Sequence, residues 1–224
     1  MHGSDVLELT CRFKLKTMMV AMVYSFLNLF FIQTRFTDAL FNGLLVWYYS
    51  SLTLQEQILR ANGSRIKGWY LAHHYFSILL SGFLLIWPAS ESYQQFRTQF
   101  YCFVLYLSLL QCLQYHYQKG ILYKKQALGH SHAMDTTQEG LRTWMHAETS
   151  QKLQLLIPFL VGGYLFQFAN AYRCYAISLQ ENCHEWQVLA SAVLFAFIAT
   201  GNVITLCIVL ARKRRNLLVR TPCF

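Results

Sequence analysis

The chain has 224 residues, of which 55% are apolar, 16% aromatic and only 13% charged. So few charges cannot coat a soluble globule, and the composition predicts an all-α, polytopic membrane protein. The formal net charge of +9 does not signal nucleic acid, because the basic residues stand at the ends of apolar runs and leave no soluble domain to form a binding face.

A helix needs roughly 20 residues to cross a hydrocarbon core of about 30 Å. Apolar runs of that order fall at 15–34, 38–56, 68–88, 97–117, 153–173 and 186–211. Six spans place both termini on one side. With that side in the cytosol, 16 of the 19 Lys and Arg residues lie there, leaving only Arg35, Arg97 and Arg173 outside. The positive-inside rule selects this orientation.

Residues 1–14 are expected as a short cytosolic segment. The first span follows Arg12, Lys14 and Lys16 as a signal peptide would, but it is too long for an h-region and lacks a small-x-small cleavage site, so it is expected to be retained. In the second span Asn42 is a polar intruder, and Trp47-Tyr48-Tyr49 is expected to help place the helix at the interface. The sequon Asn62-Gly63-Ser64 falls on the cytosolic side and is expected to stay unglycosylated. Tyr70, His73 and His74 lie inside the third span, which ends at the interfacial aromatic and breaker Trp87-Pro88. In the fourth, Gln111, Gln114 and Gln118 share one helical face, with His116 nearby.

The segment 118–150 holds His130, His132 and His146, and its Asp135 or Thr136 forms a helix start that suits an interfacial or re-entrant helix. Pro158, early in the fifth span, is tolerated if a neighbouring helix takes up the freed carbonyl. Cys174 and Cys183 share the last outward loop and could bridge, whereas Cys11, Cys102, Cys112, Cys207 and Cys223 sit where thiols stay reduced. After the sixth span, 186–211, the tail 212–224 opens with Arg212-Lys213-Arg214-Arg215, a stop-transfer signal and contact for anionic lipid.

Imidazoles and amides inside hydrocarbon need partners or a wet cavity. Amides such as Asn170 and Asn202 fit plain bonding between helices, at around 0.6 kcal/mol each. A metal site is disfavoured: neighbouring imidazoles on a helix diverge by about 100°, and no acidic residue is expected inside a span to join them. The third reading gives the imidazole an acyl or nucleotide ligand to serve as base or nucleophile. Arg65 and Lys67 would then meet phosphates at the cytosolic mouth, with Trp69 and Tyr70 stacking on a base. Coenzyme A and acyl-CoA have the required charged head and apolar or thioester tail.

The blocks F-N-G-L-L-V-W-Y-Y (41–49), N-G-S-R-I-K-G-W (62–69), H-H-Y (73–75), L-Q-Y-H-Y-Q (113–118), M-D-T-T-Q-E-G (134–140) and E-W-Q-V (185–188) resemble the transmembrane protein 120, or TACAN-like, family over about residues 36 to 205. The resemblance implies a six-helix bundle similar to the fatty acid elongases, coenzyme A as cofactor in a cytosol-facing cavity, and a homodimer. It also implies residence in the inner nuclear membrane and endoplasmic reticulum, or the plasma membrane, and a role in lipid metabolism and fat-cell differentiation. Elongases carry an H-x-x-H-H box used in acyl transfer, and the same register here is Tyr70-Leu71-Ala72-His73-His74. By matched position Asn42, Tyr70, His73, His74, Gln114 and Gln118 become ligand candidates, with His73 or His74 as the catalytic group if acyl transfer occurs. The family's coiled coil, which precedes its first span, is expected to be absent here. The alternative function is a mechanosensitive ion channel, or a non-conducting membrane scaffold; a channel needs a continuous polar path.

Overall fold

The computed structural model describes the backbone of residues 3–61, 68–127 and 150–220 and the side chains of 12–61, 68–116 and 156–211. Every apolar run falls on a helix: α1 (Gly3–Phe30), α2 (Arg35–Ala61), α3 (Gly68–Ile86), α4 (Glu91–Ala127), α5 (Ser150–Ser178) and α6 (Trp186–Arg220). Among the described residues, three of these helices contain stretches long and apolar enough to cross a membrane, Arg12–Phe30, Gly68–Ile86 and Trp186–Ala211. The others are diluted by charged and amide side chains, several of which face inward.

Packing follows a closed circuit. α1 lies against α2 and α4, α3 against α2 and α6, and α5 against α4 and α6. The six helices therefore form a ring around a central space, and tight connections at 31–34, 87–90 and 179–185 gather at one end, called here the far end. The opposite end, where α1 begins and α6 finishes, is the termini end.

The far end is plugged by rings. Trp87, Phe96, Tyr101, Phe41 and Phe195 are almost wholly buried, with Trp87 stacked on Phe96 at 5.8 Å between centroids and Phe41 tilted on Tyr101 at 5.3 Å. Trp87 was expected at the membrane interface. It is instead 0% exposed, its Nε1 donating to Ser92 Oγ at 3.1 Å, because the chain turns at Pro88 and folds the indole under α4. Tyr48 is likewise turned into the bundle, whereas Trp47 is exposed.

A buried ion pair lies within this plug. Arg97 Nε donates to Asp38 Oδ2 at 2.7 Å and its Nη2 to Oδ1 at 3.0 Å, while the Tyr101 hydroxyl donates to Oδ1 at 2.7 Å. The same Nη2 donates to the carbonyls of Asn28 and Ile32, each at 3.0 Å, where the end of a helix leaves carbonyls without partners. Arg35 does this for α3, donating to the carbonyls of Leu84, Leu85 and Trp87. Arg97 and Arg35, counted from sequence as outward-side charges, are thus directed into the protein. Asp38 is the reason for one of them: a buried cation requires a partner.

Cys174 and Cys183 are both free thiols, correcting the proposed bridge. Cys174 is fully buried on α5, while Cys183 Sγ lies 3.5 Å from Glu185 Oε2. The α5 helix runs through Pro158, and Tyr106 on α4 donates to the Phe159 carbonyl at 2.7 Å.

Candidate functional site: a polar-mouthed cavity inside the helix ring

The ring encloses a cavity of about 370 Å³, within the range of about 300–1,000 Å³ common for small-molecule sites. Every helix contributes to its wall: Lys14 from α1, Tyr49 from α2, His73 from α3, Gln114 from α4, Gln167 from α5 and Asn202 from α6. Along α3 the wall runs from Trp69 to Leu84, which at 1.5 Å per residue is about 22 Å. Its character changes over that length. Toward the termini end stand Lys14, Tyr70, His73, His74, Gln111 and Gln114, and toward the far end Leu80, Leu84, Phe100 and Phe103.

Helical spacing explains why α3 supplies so much of the site. Tyr70, His74, Ser77, Ser81 and Leu84 recur at intervals of four and three, the face that one helix turns to a partner or a cavity, and all five line the wall. The two serines are small enough to leave room, and Ser77 settles its own hydroxyl by donating to the His73 carbonyl at 2.8 Å. His73 and His74 both reach the cavity although their rings diverge, with centroids 5.5 Å apart at an interplanar angle of 56°. His73 Nδ1 is buried with no hydrogen-bond partner.

His74 has a neighbour that sequence reasoning excluded. Glu56, 2% exposed near the end of α2, places Oε2 2.8 Å from His74 Nδ1. The approach is close but poorly directed, so neither atom has an aligned hydrogen bond. Lys14 Nζ stands 3.4 Å from Glu56 Oε1 and 3.0 Å from the Tyr70 hydroxyl. Tyr70 in turn lies against the His74 ring at 4.6 Å between centroids. Four side chains from three helices thus form one polar cluster at the termini end. The expectation that no acid joins the imidazoles is corrected, because the last turns of α2 fold back beside the first turns of α3.

Trp69 is tied to α6. Its Nε1 donates to Asn202 Oδ1 at 3.2 Å, and Asn202 Nδ2 donates on to Gln167 Oε1 at 3.4 Å. The indole lies over Gly201 so closely that a Cβ there would overlap the ring. It borders the cavity, yet its polar atom is committed to α6. Asn202 and Asn170 fit the plain reading of amides that bond between helices, since Gln99 Nε2 donates to Asn170 Oδ1 at 2.9 Å.

Asn42 is not among the lining residues. It is buried on α2 and donates to the Asp38 carbonyl at 3.0 Å, while its own Oδ1 has no partner. Arg65, Lys67, the Gln118 side chain, the sequon and the histidines of 118–150 lie outside the described residues. Among the described residues no three His, Cys, Asp or Glu side chains converge as metal ligands do. Lys14, Glu56, Ser77 and Ser81 were missed as site residues. Lys14 had the appearance of a flanking charge, and Glu56 that of a surface acid at a span end. The available signal was an acid at the end of one span and the imidazole pair at the start of the next, each costly unless they meet.

Comparison with known proteins gives the chain a family. A family model described as TMEM120A/B matches residues 10–217. Transmembrane protein 120B of Danio rerio is 45% identical over 202 residues, covering 90% of this chain and 59% of that protein. Transmembrane protein 120A of Xenopus tropicalis is 46% identical, with 90% and 59% covered, and transmembrane protein 120B of Homo sapiens is 43% identical, with 92% and 60% covered. The chain thus spans about six-tenths of the length of these relatives. By the extent of these matches, the chain belongs to the TMEM120A/B family.

Proposed function

We propose that this chain is a six-span membrane protein, with both described ends toward the cytosol, whose central cavity binds coenzyme A or acyl-CoA. The observation that carries the reading is the graded cavity: amide, phenol and imidazole groups at the basic end, and aliphatic and aromatic walls beyond them. A ligand with a polar head and a thin, less polar arm matches that gradient. The partnerless Nδ1 of His73 supports it too, since a buried polar atom without a bond costs about 1–3 kcal/mol, and a bound molecule would relieve that cost. Tyr70, His73, His74, Gln111 and Gln114 are the contact residues. Lys14, Arg65 and Lys67 supply positive charge for the phosphates.

The packed aromatic plug at the far end weighs against an ion channel along the ring axis, because a channel needs a continuous wet path. Among the described residues, any acyl transfer in this cavity would fall to His73 or His74, the two imidazoles on its wall. Service in lipid metabolism at the inner nuclear membrane or endoplasmic reticulum, as a homodimer, completes the proposal.

Mass spectrometry of the small molecules extracted from the purified protein tests it. Coenzyme A or an acyl-CoA is expected with the wild type and at least a tenfold lower yield with Tyr70→Ala combined with His73→Ala. No such species with the wild type, or equal yield from both proteins, overturns the reading.

A further inference from the structure

Hydroxyls inside these helices mostly close on their own backbone. Thr53, Ser77, Thr200 and Thr205 each donate to the carbonyl four residues earlier at 2.8 Å, the local bond that Ser and Thr make inside a helix. Ser108 on α4 does not. It is 1% exposed, its Oγ has no hydrogen-bond partner, and it lies on the cavity wall. Ser25 and Ser191 are partnerless too but are not among the lining residues. Ser108 therefore combines an uncommitted hydroxyl with a place on the wall, and a buried polar group left open in this way calls for an explanation.

Its position along α4 says which part of a ligand it meets. Ser108 precedes Gln111 and Gln114 at intervals of three, extending their side of the helix, and lies about 9 Å beyond Gln114 toward the far end. Past it the wall of α4 is Phe103, Val104 and Phe100. Ser108 is thus the last polar side chain that α4 offers before the apolar section, and it stands inward of the Lys14 end that receives the phosphates.

We infer that the Ser108 hydroxyl is a specificity-determining contact for the arm of the carrier, donating to the carbonyl of one of its secondary amides. This rests on the proposed coenzyme A reading and deepens it. A phosphate is drawn to the cations at the termini end, and a thiol is a weak donor and a weak acceptor. An amide gives the hydroxyl proton a strong acceptor, and the methylenes beside it suit the aliphatic wall. Ser108 so favours a carrier with an amide-bearing arm over the bare nucleotide.

Calorimetric titrations of the full chain in nanodiscs test the inference. Ser108→Ala should bind coenzyme A and desulfo-coenzyme A about threefold to tenfold more weakly than wild type, the loss of one hydrogen bond. Its affinity for adenosine 3′-phosphate 5′-diphosphate, the head without the arm, should be unchanged. Because the hydroxyl has no partner in the protein, this variant should unfold at or above the wild-type temperature, which separates weaker binding from misfolding. Ser25→Ala removes an equally uncommitted hydroxyl away from the wall and should bind coenzyme A as wild type does. Equal affinity of Ser108→Ala and wild type for coenzyme A overturns the inference, and so does an equal loss with the armless head. If the wild type binds no coenzyme A at all, the functional reading fails as well, whereas equal binding by the two proteins fails this inference alone.

Discussion

The two ends of the ring use charge in opposite ways. At the far end Asp38, Arg97 and Tyr101 complete one another's hydrogen bonds, two arginines cover the carbonyls of two helix ends, and rings fill the remaining space. At the termini end Glu56 and His74 approach without alignment, His73 Nδ1 has no partner, and the helices stand apart around a cavity. The charged groups of the far end are paired, but Asn28 Oδ1, Arg35 Nη1 and Asn42 Oδ1 there are partnerless too, so the ends differ in paired charge and in packing: rings fill one, and a cavity occupies the other. We take the far end as the clamp that lets the other end remain open.

Substitutions at the two ends should therefore separate stability from binding. The largest effect is expected from Asp38→Ala, which strands the Arg97 guanidinium among aromatic rings and should cost about 3–5 kcal/mol. Chemical or thermal unfolding in detergent would measure it, and a loss no greater than that from a cavity substitution would erase the distinction between the ends. Gly201→Val comes next. Its side chain must displace the Trp69 indole, a strain of about 1–3 kcal/mol, so this variant should lose stability and the coenzyme A signal together.

His73→Ala should reverse that balance. Removing a buried imidazole whose Nδ1 is unpaired should leave unfolding within about 1 kcal/mol of wild type, while coenzyme A affinity falls about tenfold, or about 1.4 kcal/mol. The smallest effect on binding is expected from Lys14→Met. The Lys14 side chain is 25% exposed, but that of its partner Glu56, 3.4 Å away, is only 3% exposed, so losing the cation leaves a buried carboxylate and should cost about 1–3 kcal/mol of stability. In ligand binding its absence should show mainly as weaker salt dependence.

The helices were legible in the sequence because apolar runs of membrane length have few other solutions, and the Tyr70, His73 and His74 cluster was legible because imidazole is conspicuous in such a run. Their order around the ring was not. A helix that faces lipid on one side and other helices on the other is apolar all round, so periodicity carries little information about which face is inside; the exposed Val20, Val23 and Phe30 of α1 differ little in kind from the buried Met18 and Ala21. The ion pairs were hidden for a different reason. Asp38 and Arg97 lie 59 positions apart, and each alone looks like a charge at the end of a span. Gln111 and Gln114 were identified correctly as facing inward from their spacing alone, because two amides one turn apart can share a polar cavity only if it lies on that side.

The central claim is that the cavity between the helices is where the carrier binds, and a calorimetric titration of coenzyme A into Ser81→Phe beside wild type tests it most directly. Ser81 lines the wall but is not one of the polar contacts proposed for the ligand, so a phenyl group there obstructs the space while leaving Tyr70, His73 and His74 intact. The account predicts saturable binding to the wild type and its loss in a variant that still unfolds cooperatively. Equal binding to both proteins would contradict it.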